Sequence, residues 1–438
     1  MRRRLAVYLF LAAHALCLAN VTAAEQRIVA FPGAEGFGAW TRGGRGGRVV
    51  RVTNLDRRGP GSLSWAINEI PERRTIVFDV SGVIDCRNEI SFRIDATNDE
   101  VTIAGETSPG GITIYNYRNF AIRDGAEQVI LRFLRFRGTR IHTRNDPDCL
   151  LLWHAKDIMV DHCSFAGSCD ETLDANDVEN VTLQWTGFDE SRKAEAHNDY
   201  FQNNGQWHNY GALCSQARNV TLHHCLFAHH SKRNPLVGQH SNVEAVNNVI
   251  YNYSNSQQTW GAAGAGLKLA SCYFKLGPDR RKNPIPVRDN VTAIKGCVSR
   301  ERDGSAGPPV DDLGDLGQLH LVTAETAETA YHRVLRHAGA LPHDATSARM
   351  AEEARNGTGR QGYLGNLAAD RAALSPSPAP QDSDRDGLPD TWERAHGLNP
   401  LDPADSRKAS RSGYTYLELY CHACVARLLH QASSGVTP

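Results

Sequence analysis

The chain has 438 residues, a formal net charge of −1, 41% hydrophobic residues and 8% aromatic residues. This composition is not that of an intrinsically disordered or membrane-spanning protein, and the absence of a basic surplus argues against nucleic acid as a partner. The length suits one large domain with appendages, and 38 glycines indicate many turns.

The first 24 residues have the pattern of a secretory signal peptide. Arginines at positions 2–4 form the charged region, residues 5–18 are apolar, and VTAA at 21–24 is a small-residue cleavage zone. Removal takes away three positive charges and no acid, so the net charge moves from −1 to −4. No later stretch is long and apolar enough to span a membrane. We therefore expect an exported, soluble monomer, extracellular or retained in the periplasm or at the cell surface.

A strand pattern repeats through the middle of the chain. Six units begin at residues 128, 157, 180, 219, 242 and 266, and each reaches a large apolar residue eight positions on: Phe136, Phe165, Phe188, Phe227, Ile250 and Phe274. The spacings of 29, 23, 39, 23 and 24 residues give a base period near 23 with two insertions. Apolar and polar residues alternate within the units. The pattern predicts an all-β chain folded as a right-handed parallel β-helix over 25–300, with the hand taken from the general chirality of parallel crossovers.

Three cysteines occupy the same place in their units. Cys163, Cys225 and Cys272 are separated in the stack by Thr186 and Asn248. Two rungs span roughly 9.6 Å, which is too far for a disulfide. We expect three buried thiols in one column of the core.

Short helices are expected outside the repeats. Residues 62–69 are predicted to cap the first rung, and helices at 324–338 and 345–355 are predicted to pack on the outside of the stack within an extension at 301–371. A Pro/Ser linker at 372–381 precedes a small C-terminal module at 382–438. The glycine-rich segment at 33–47 lacks the GK[ST] of a phosphate loop, so we expect a structural turn.

Acidic residues cluster in two neighbouring units. Asp161 lies in VDHCSF at 160–165, while Asp170 and Asp174 flank Glu171 in DETLD at 170–174. The alternation predicts that Asp161 lies on the solvent face. Any one of these acids, taken alone, could have the simpler role of capping a turn. Together they offer the oxygen ligands that Ca²⁺ prefers, and they predict a calcium site.

A single arginine follows a histidine-rich strand. Arg233 precedes Pro235 by two positions, so we expect an extended peptide that projects the guanidinium from a fixed loop. An arginine beside carboxylates suits an acidic substrate, although a surface ion pair is the alternative. A zinc site is disfavoured because adjacent histidines on a strand point to opposite faces; the histidines concerned are His162, His223, His224, His229 and His230.

The C-terminal segment carries a second calcium pattern. DSDRDGLPDTWE at 382–393 has acids at loop positions 1, 3, 5, 9 and 12 and glycine at position 6. This is the arrangement of an EF-hand loop; the predicted ligands are Asp382, Asp384, Asp386, Asp390 and Glu393. Asp402 and Asp405 could form a degenerate second half. Stability, anchoring or partner docking are the roles open to such a module.

Taken together, these motifs resemble a known family. FPGAEGFG at 31–38, VDHCSF at 160–165, DETLD at 170–174 and LHHCLF at 222–227 with RNP at 233–235 resemble pectate lyases of polysaccharide lyase family 1, over roughly residues 28–275. The tail resembles thrombospondin type 3-like calcium modules. The resemblance implies a pectin lyase-like β-helix that cleaves polygalacturonate by Ca²⁺-dependent β-elimination. It also implies calcium ligands at Asp161, Asp170 and Asp174 and a catalytic arginine at Arg233.

The chain differs from the family at positions that the resemblance assigns to substrate binding. Family members often carry a lysine before the catalytic arginine and a second arginine five residues after it, where this chain has Gly238. Lys193, His208 and Lys232 are our candidates for substrate binding. Two alternatives stay open: a non-catalytic module that binds acidic glycans, and a glycoside hydrolase or other polyuronate lyase on the same fold, with carboxylates as acid and base in the hydrolase.

Overall fold

The computed structural model describes residues 28–138, 148–168, 170–191, 209–254, 265–279, 291–362 and 377–434. The predicted signal peptide at 1–24 and two predicted substrate-binding residues, Lys193 and His208, lie outside these residues. Within the described ranges, no helix has the length and apolar character needed to cross a membrane.

The strands form a parallel β-helix, which confirms the fold predicted from the repeat. The first sheet contains, in spatial order, β1 (Arg48–Val52), β2 (Arg74–Phe78), β5 (Val101–Ala104), β8 (Glu127–Arg132), β10 (Leu150–Asp161), β12 (Glu171–Gln184), β15 (Arg218–His223), β18 (Asn242–Val246), β20 (Gly266–Ala270) and β22 (Val291–Lys295). The second sheet contains β3 (Gly82–Asp85), β6 (Ile112–Tyr115), β9 (Leu134–Arg137), β11 (Ser164–Ala166), β13 (Gly187–Phe188), β16 (Leu226–Ala228), β19 (Val249–Tyr251), β21 (Tyr273–Lys275) and β23 (Val298–Arg300).

A shorter third face branches from the first sheet. It contains β4 (Ser91–Ile94), β7 (Asn119–Arg123), the first halves of β10 and β12, β14 (Tyr210–Ser215) and β17 (Leu236–Val237). The strand pairs of this face are parallel. Because parallel strands run in one direction, their first residues line up along one edge of the face.

The register between turns is the one that the repeat predicts. Val129, Ile158, Val181, Val220 and Val243 are successive partners in the first sheet. In the second sheet the large apolar residues stack in the buried core, with ring centroids 4.7 Å apart for Phe136 and Phe165 and 4.5 Å apart for Phe188 and Phe227. Burial of this column in every turn supplies the hydrophobic stabilisation that holds the turns in register.

The three cysteines of the predicted column are buried free thiols, as expected. The column continues one rung further than the sequence analysis recognised, to Cys297. The amide of Cys272 lies 3.3 Å from the Cys297 sulfur.

The helices lie outside the stack. They are α1 (Leu63–Asn68), α2 (Ala327–His337), α3 (Ala345–Asn356), α4 (Asp390–His396) and α5 (Tyr416–Ser434), with 3-10 turns at Phe37–Trp40, Gly105–Thr107 and Asp405–Arg407. Ser62 caps α1 by accepting a bond from the amide of Trp65 at 3.2 Å. Tyr331 of α2 stacks on Tyr273 of β21 with centroids 4.2 Å apart. This contact places α2 against the outside of the second sheet.

The glycine-rich entry segment is structural, as predicted. It lies against the first sheet, where the amide of Gly38 donates to Thr182 Oγ1 at 2.8 Å. A Cβ atom at Gly38 would lie 2.4 Å from the carbonyl oxygen of Ile158, so only glycine allows this close approach.

Candidate active site

Polar residues line up where the strands of the third face begin. Asp148 stands two residues before β10, Glu171 opens β12, and Tyr210 opens β14 opposite Glu171. Lys232 continues this row through a parallel bridge to Tyr210. The amide of Glu171 donates to Asp148 Oδ1 at 3.0 Å. The register therefore brings residues from four successive turns to one edge.

Carboxylates from two of these turns form a compact cluster. Single oxygens of Asp148, Asp170 and Glu171 lie within 4.8 Å of one another. Asp174 follows on β12, and burial, together with the charge of Asp170, raises its pKa to about 6. Its Oδ1 is buried and has no hydrogen-bond partner in the described part of the chain. Hard oxygen donors, with the unsatisfied carboxylate of Asp174 near Asp170, fit Ca²⁺.

Arg233 reaches this cluster from the opposite side. Its guanidinium pairs with Glu171 and lies over the ring of Tyr210, 4.1 Å from the centroid. Burial lowers the pKa of Arg233, while the charges of Asp170 and Asp148 act in the other direction. The loop is tightly held, because the amide of Ala212 donates to the Arg233 carbonyl at 2.7 Å. A partly buried arginine facing carboxylates that fit a metal is an arrangement for handling an acidic ligand.

Comparisons with known proteins identify relatives of this chain by sequence and by fold. No family model matches the chain. The chain is 32% identical over 432 residues to a probable pectate lyase C of Aspergillus flavus, covering 91% of this chain and 94% of the relative. The chain belongs to the pectate lyase family. Its members are polysaccharide lyases, so the protein is classed as an enzyme of that type rather than as a non-catalytic binding module.

Two further matches are consistent with membership of the pectate lyase family. A probable pectate lyase C of Aspergillus fumigatus is 31% identical over 444 residues, covering 94% of this chain and 98% of the relative. The structure of the thermostable pectate lyase PL 47 superposes with a TM-score of 0.50 at 14% identity, covering 72% of this chain and 98% of that chain. The latter likeness shows the shared fold.

In this member of the family, the expectation that Asp161 faces solvent was wrong. Asp161 is completely buried at the end of β10. Its carboxylate accepts bonds from Arg132 Nη2 at 2.7 Å and Gln184 Nε2 at 2.8 Å, and it lies 2.8 Å from His162 Nδ1. Burial opposes ionisation, but attraction to His162 and Arg132 outweighs it and lowers the pKa of Asp161. The register places Asp161 opposite Gln184 and Asp174 opposite Leu151, at the two ends of β10. Asp161 is therefore engaged elsewhere and does not join Asp170 and Asp174.

Asp148, rather than Asp161, lies beside Asp170. The signal was present, because Asp148 and Glu171 are separated by one base period of 23 residues. Lys232 lies half-buried next to Arg233 at this edge. Gly238 lies against Ser215, where a Cβ atom would be 2.7 Å from the serine Oγ. A side chain at position 238 would therefore require Ser215 to move.

Proposed function

We propose that the protein cleaves polygalacturonate by calcium-dependent β-elimination and releases unsaturated oligogalacturonides. The observation that carries the proposal is the position of Arg233, whose guanidinium lies beside Asp148, Asp170 and Glu171 at the edge of the third face. Membership of the pectate lyase family supports the assignment.

The reaction requires a proton acceptor beside C5 of a uronate. The base removes the C5 proton, the electrons of that bond form the C4–C5 double bond, the C4–O4 bond breaks, and the departing oxygen takes a proton from water. We assign Arg233 to the proton on C5. Arginine is normally protonated, and burial beside Tyr210 lowers the pKa of this one. This assignment predicts higher activity at alkaline pH.

The carboxylates that face Arg233 would hold the carboxylate group of the substrate indirectly, through a metal ion. Asp148, Asp170 and Asp174 would bind Ca²⁺, which when present neutralises the uronate carboxylate and stabilises the charge that develops at C5. Glu171 orients Arg233 through their ion pair. Lys232, next to Arg233, is the described residue that we assign to a further uronate carboxylate.

We further propose that the enzyme acts outside the cytoplasm. The predicted signal peptide and a polymeric substrate support export. N-terminal sequencing of protein recovered from the culture medium or periplasm would show cleavage near residue 24, whereas an intact N-terminus in the cytoplasm would contradict export.

The test is to incubate the purified protein with polygalacturonate and to follow ultraviolet absorbance from unsaturated uronide ends, first with Ca²⁺ and then with EDTA. We expect an increase that EDTA abolishes. Reducing ends without that absorbance would show hydrolysis and would overturn elimination. Absence of any product would overturn polygalacturonate as the substrate.

A further inference from the structure

A second acidic cluster lies far along the chain from the active site, in the C-terminal segment. Oxygens of Asp382, Asp384 and Asp386 lie within 4.8 Å of one another, and so do oxygens of Asp386, Glu393 and Asp405. Asp386 belongs to both sets. Five carboxylates therefore converge on one small volume, which is unfavourable unless a positive charge joins them.

Glu393 shows most clearly that this cluster is built around a ligand. Its side chain is 0% exposed, and neither carboxylate oxygen has a hydrogen-bond partner in the described residues. Asp405 is 2% exposed, and its Oδ1 has no partner there either. Burial and the charges of the neighbouring aspartates raise the pKa of Glu393 to about 7. Buried carboxylates almost always have partners, so unsatisfied oxygens aimed into an acidic cluster indicate a missing cation.

Hydrogen bonds from backbone amides hold the aspartate side chains in place and leave lone pairs on the carboxylate oxygens for a cation. Gly387, with φ of 94°, donates its amide to Asp382 Oδ2 at 3.0 Å, and Arg385 donates to Asp382 Oδ1 at 2.8 Å. Asp405 lies outside the loop, at the start of the 3-10 turn Asp405–Arg407. The amide of Ser406 in this turn donates to Asp386 Oδ2 at 3.2 Å. The loop and the following 3-10 turn thus form one preorganised cage.

The EF-hand loop pattern predicts Asp390 as a ligand, but in the structure its carboxylate bonds to other partners. Asp390 accepts bonds from the amide and hydroxyl of Ser383 at 2.8 and 2.9 Å and pairs with Arg394 at 3.2 Å. It does not appear among the converging oxygens of the described residues. The fifth acid is Asp405, so the expectation for Asp390 is corrected.

The cage sits on the first strands of the β-helix. Leu388 and Leu417 pack against Val77 of β2, with Val49 of β1 beside them. Arg51 of β1 lies 3.5 Å from Asp382, which ties the loop itself to the sheet. The C-terminal segment therefore covers the outer surface of the N-terminal turns rather than extending from the fold.

We propose that Asp382, Asp384, Asp386, Glu393 and Asp405 bind one Ca²⁺, and that this ion fastens the C-terminal segment onto β1 and β2. An all-oxygen, strongly anionic set suits Ca²⁺ rather than a softer metal. Without the ion, repulsion among the carboxylates opens the loop and withdraws Leu388 from Val77. The site is structural and separate from the elimination chemistry.

The test compares the full-length wild type with Glu393→Gln, Asp405→Asn and the control Asp402→Asn. Asp402 is a partly exposed neighbour of Asp405 that pairs with Lys408. Calorimetric Ca²⁺ titration should show one bound equivalent fewer in the first two variants and no change in the control. Equal stoichiometry in all four proteins would overturn the site.

Thermal unfolding and hydrogen exchange separate a ligand role from a packing role. In EDTA, Glu393→Gln should unfold at or above the wild-type temperature, because a buried charge is gone; in Ca²⁺ it should unfold below the wild type. A lower midpoint for the variant in both conditions would mean that Glu393 only packs. EDTA should also speed exchange in β1, β2 and residues 382–407 of the wild type, and unchanged exchange there would refute the fastening role.

Discussion

Replacing Arg233 with alanine tests the assigned chemistry and the structural argument together. If Arg233 handles the C5 proton, turnover should fall by about 10²- to 10⁴-fold. The change also leaves Glu171, which is 3% exposed, without its charged partner. Breaking a buried ion pair destabilises by roughly 3–5 kcal/mol. We expect the lower part of that range, since 19% of the Arg233 side chain is exposed.

A second change separates the two effects. In Arg233→Ala/Glu171→Gln the buried negative charge is also removed, so stability in urea unfolding should return most of the way to the wild-type value. Activity should stay lost, because the guanidinium is still missing. Arg218→Ala is the control, since this arginine is 56% exposed and pairs with Glu179 on the first sheet. Its turnover and stability should match the wild type.

The assay combines initial rates on polygalacturonate at saturating Ca²⁺ with urea unfolding of the same preparations. The reasoning fails if Arg233→Ala keeps turnover within about threefold of the wild type, well below the loss expected of a residue that transfers the proton. It also fails if the double variant recovers activity along with stability, because Arg233 would then act only by neutralising Glu171.

Three further outcomes follow from the same geometry. Asp148→Asn should raise the Ca²⁺ concentration for half-maximal activity by about tenfold or more, since affinity follows the ligand charge count, and an unchanged Ca²⁺ requirement would remove Asp148 from the site. Asp161→Asn should instead destabilise by about 3–5 kcal/mol by breaking the pair with Arg132, with Ca²⁺ affinity preserved in calorimetry. Burial lowers the pKa of both His224 and His230 to about 3, so these groups stay neutral in the folded state. The unfolded chain then binds more protons below pH 6.5, so each histidine should lower the stability by about 1.4 kcal/mol per pH unit as the pH decreases toward 4, measured against the matching variant His224→Gln or His230→Gln. The same pH dependence of stability in wild type and variant would contradict the burial of that histidine as a neutral group.

The periodicity of the sequence was enough to predict most of the fold. Val129, Ile158 and Val181 recur at spacings that a stacked strand needs, and the structure pairs them in that register. Such a pattern is readable because each turn buries the same face against the next, so the constraint repeats along the chain. The helices predicted at 324–338 and 345–355 also rested on local sequence patterns, and both lie within a few residues of the predicted bounds.

The tertiary structure alone decided which acids converge. Asp161 and Asp148 are the same residue type, but Asp161 pairs with Arg132 of the preceding turn, whereas Asp148, at the other end of β10, lies beside Asp170. The same holds in the tail, where Asp405 joins Glu393 from outside the loop. A carboxylate becomes a ligand or an ion-pair partner according to the charges that packing brings beside it, and those neighbours come from distant parts of the chain. The sequence by itself determined the solenoid and its register, because these depend on local repetition; partner choice among the acids depended on the fold.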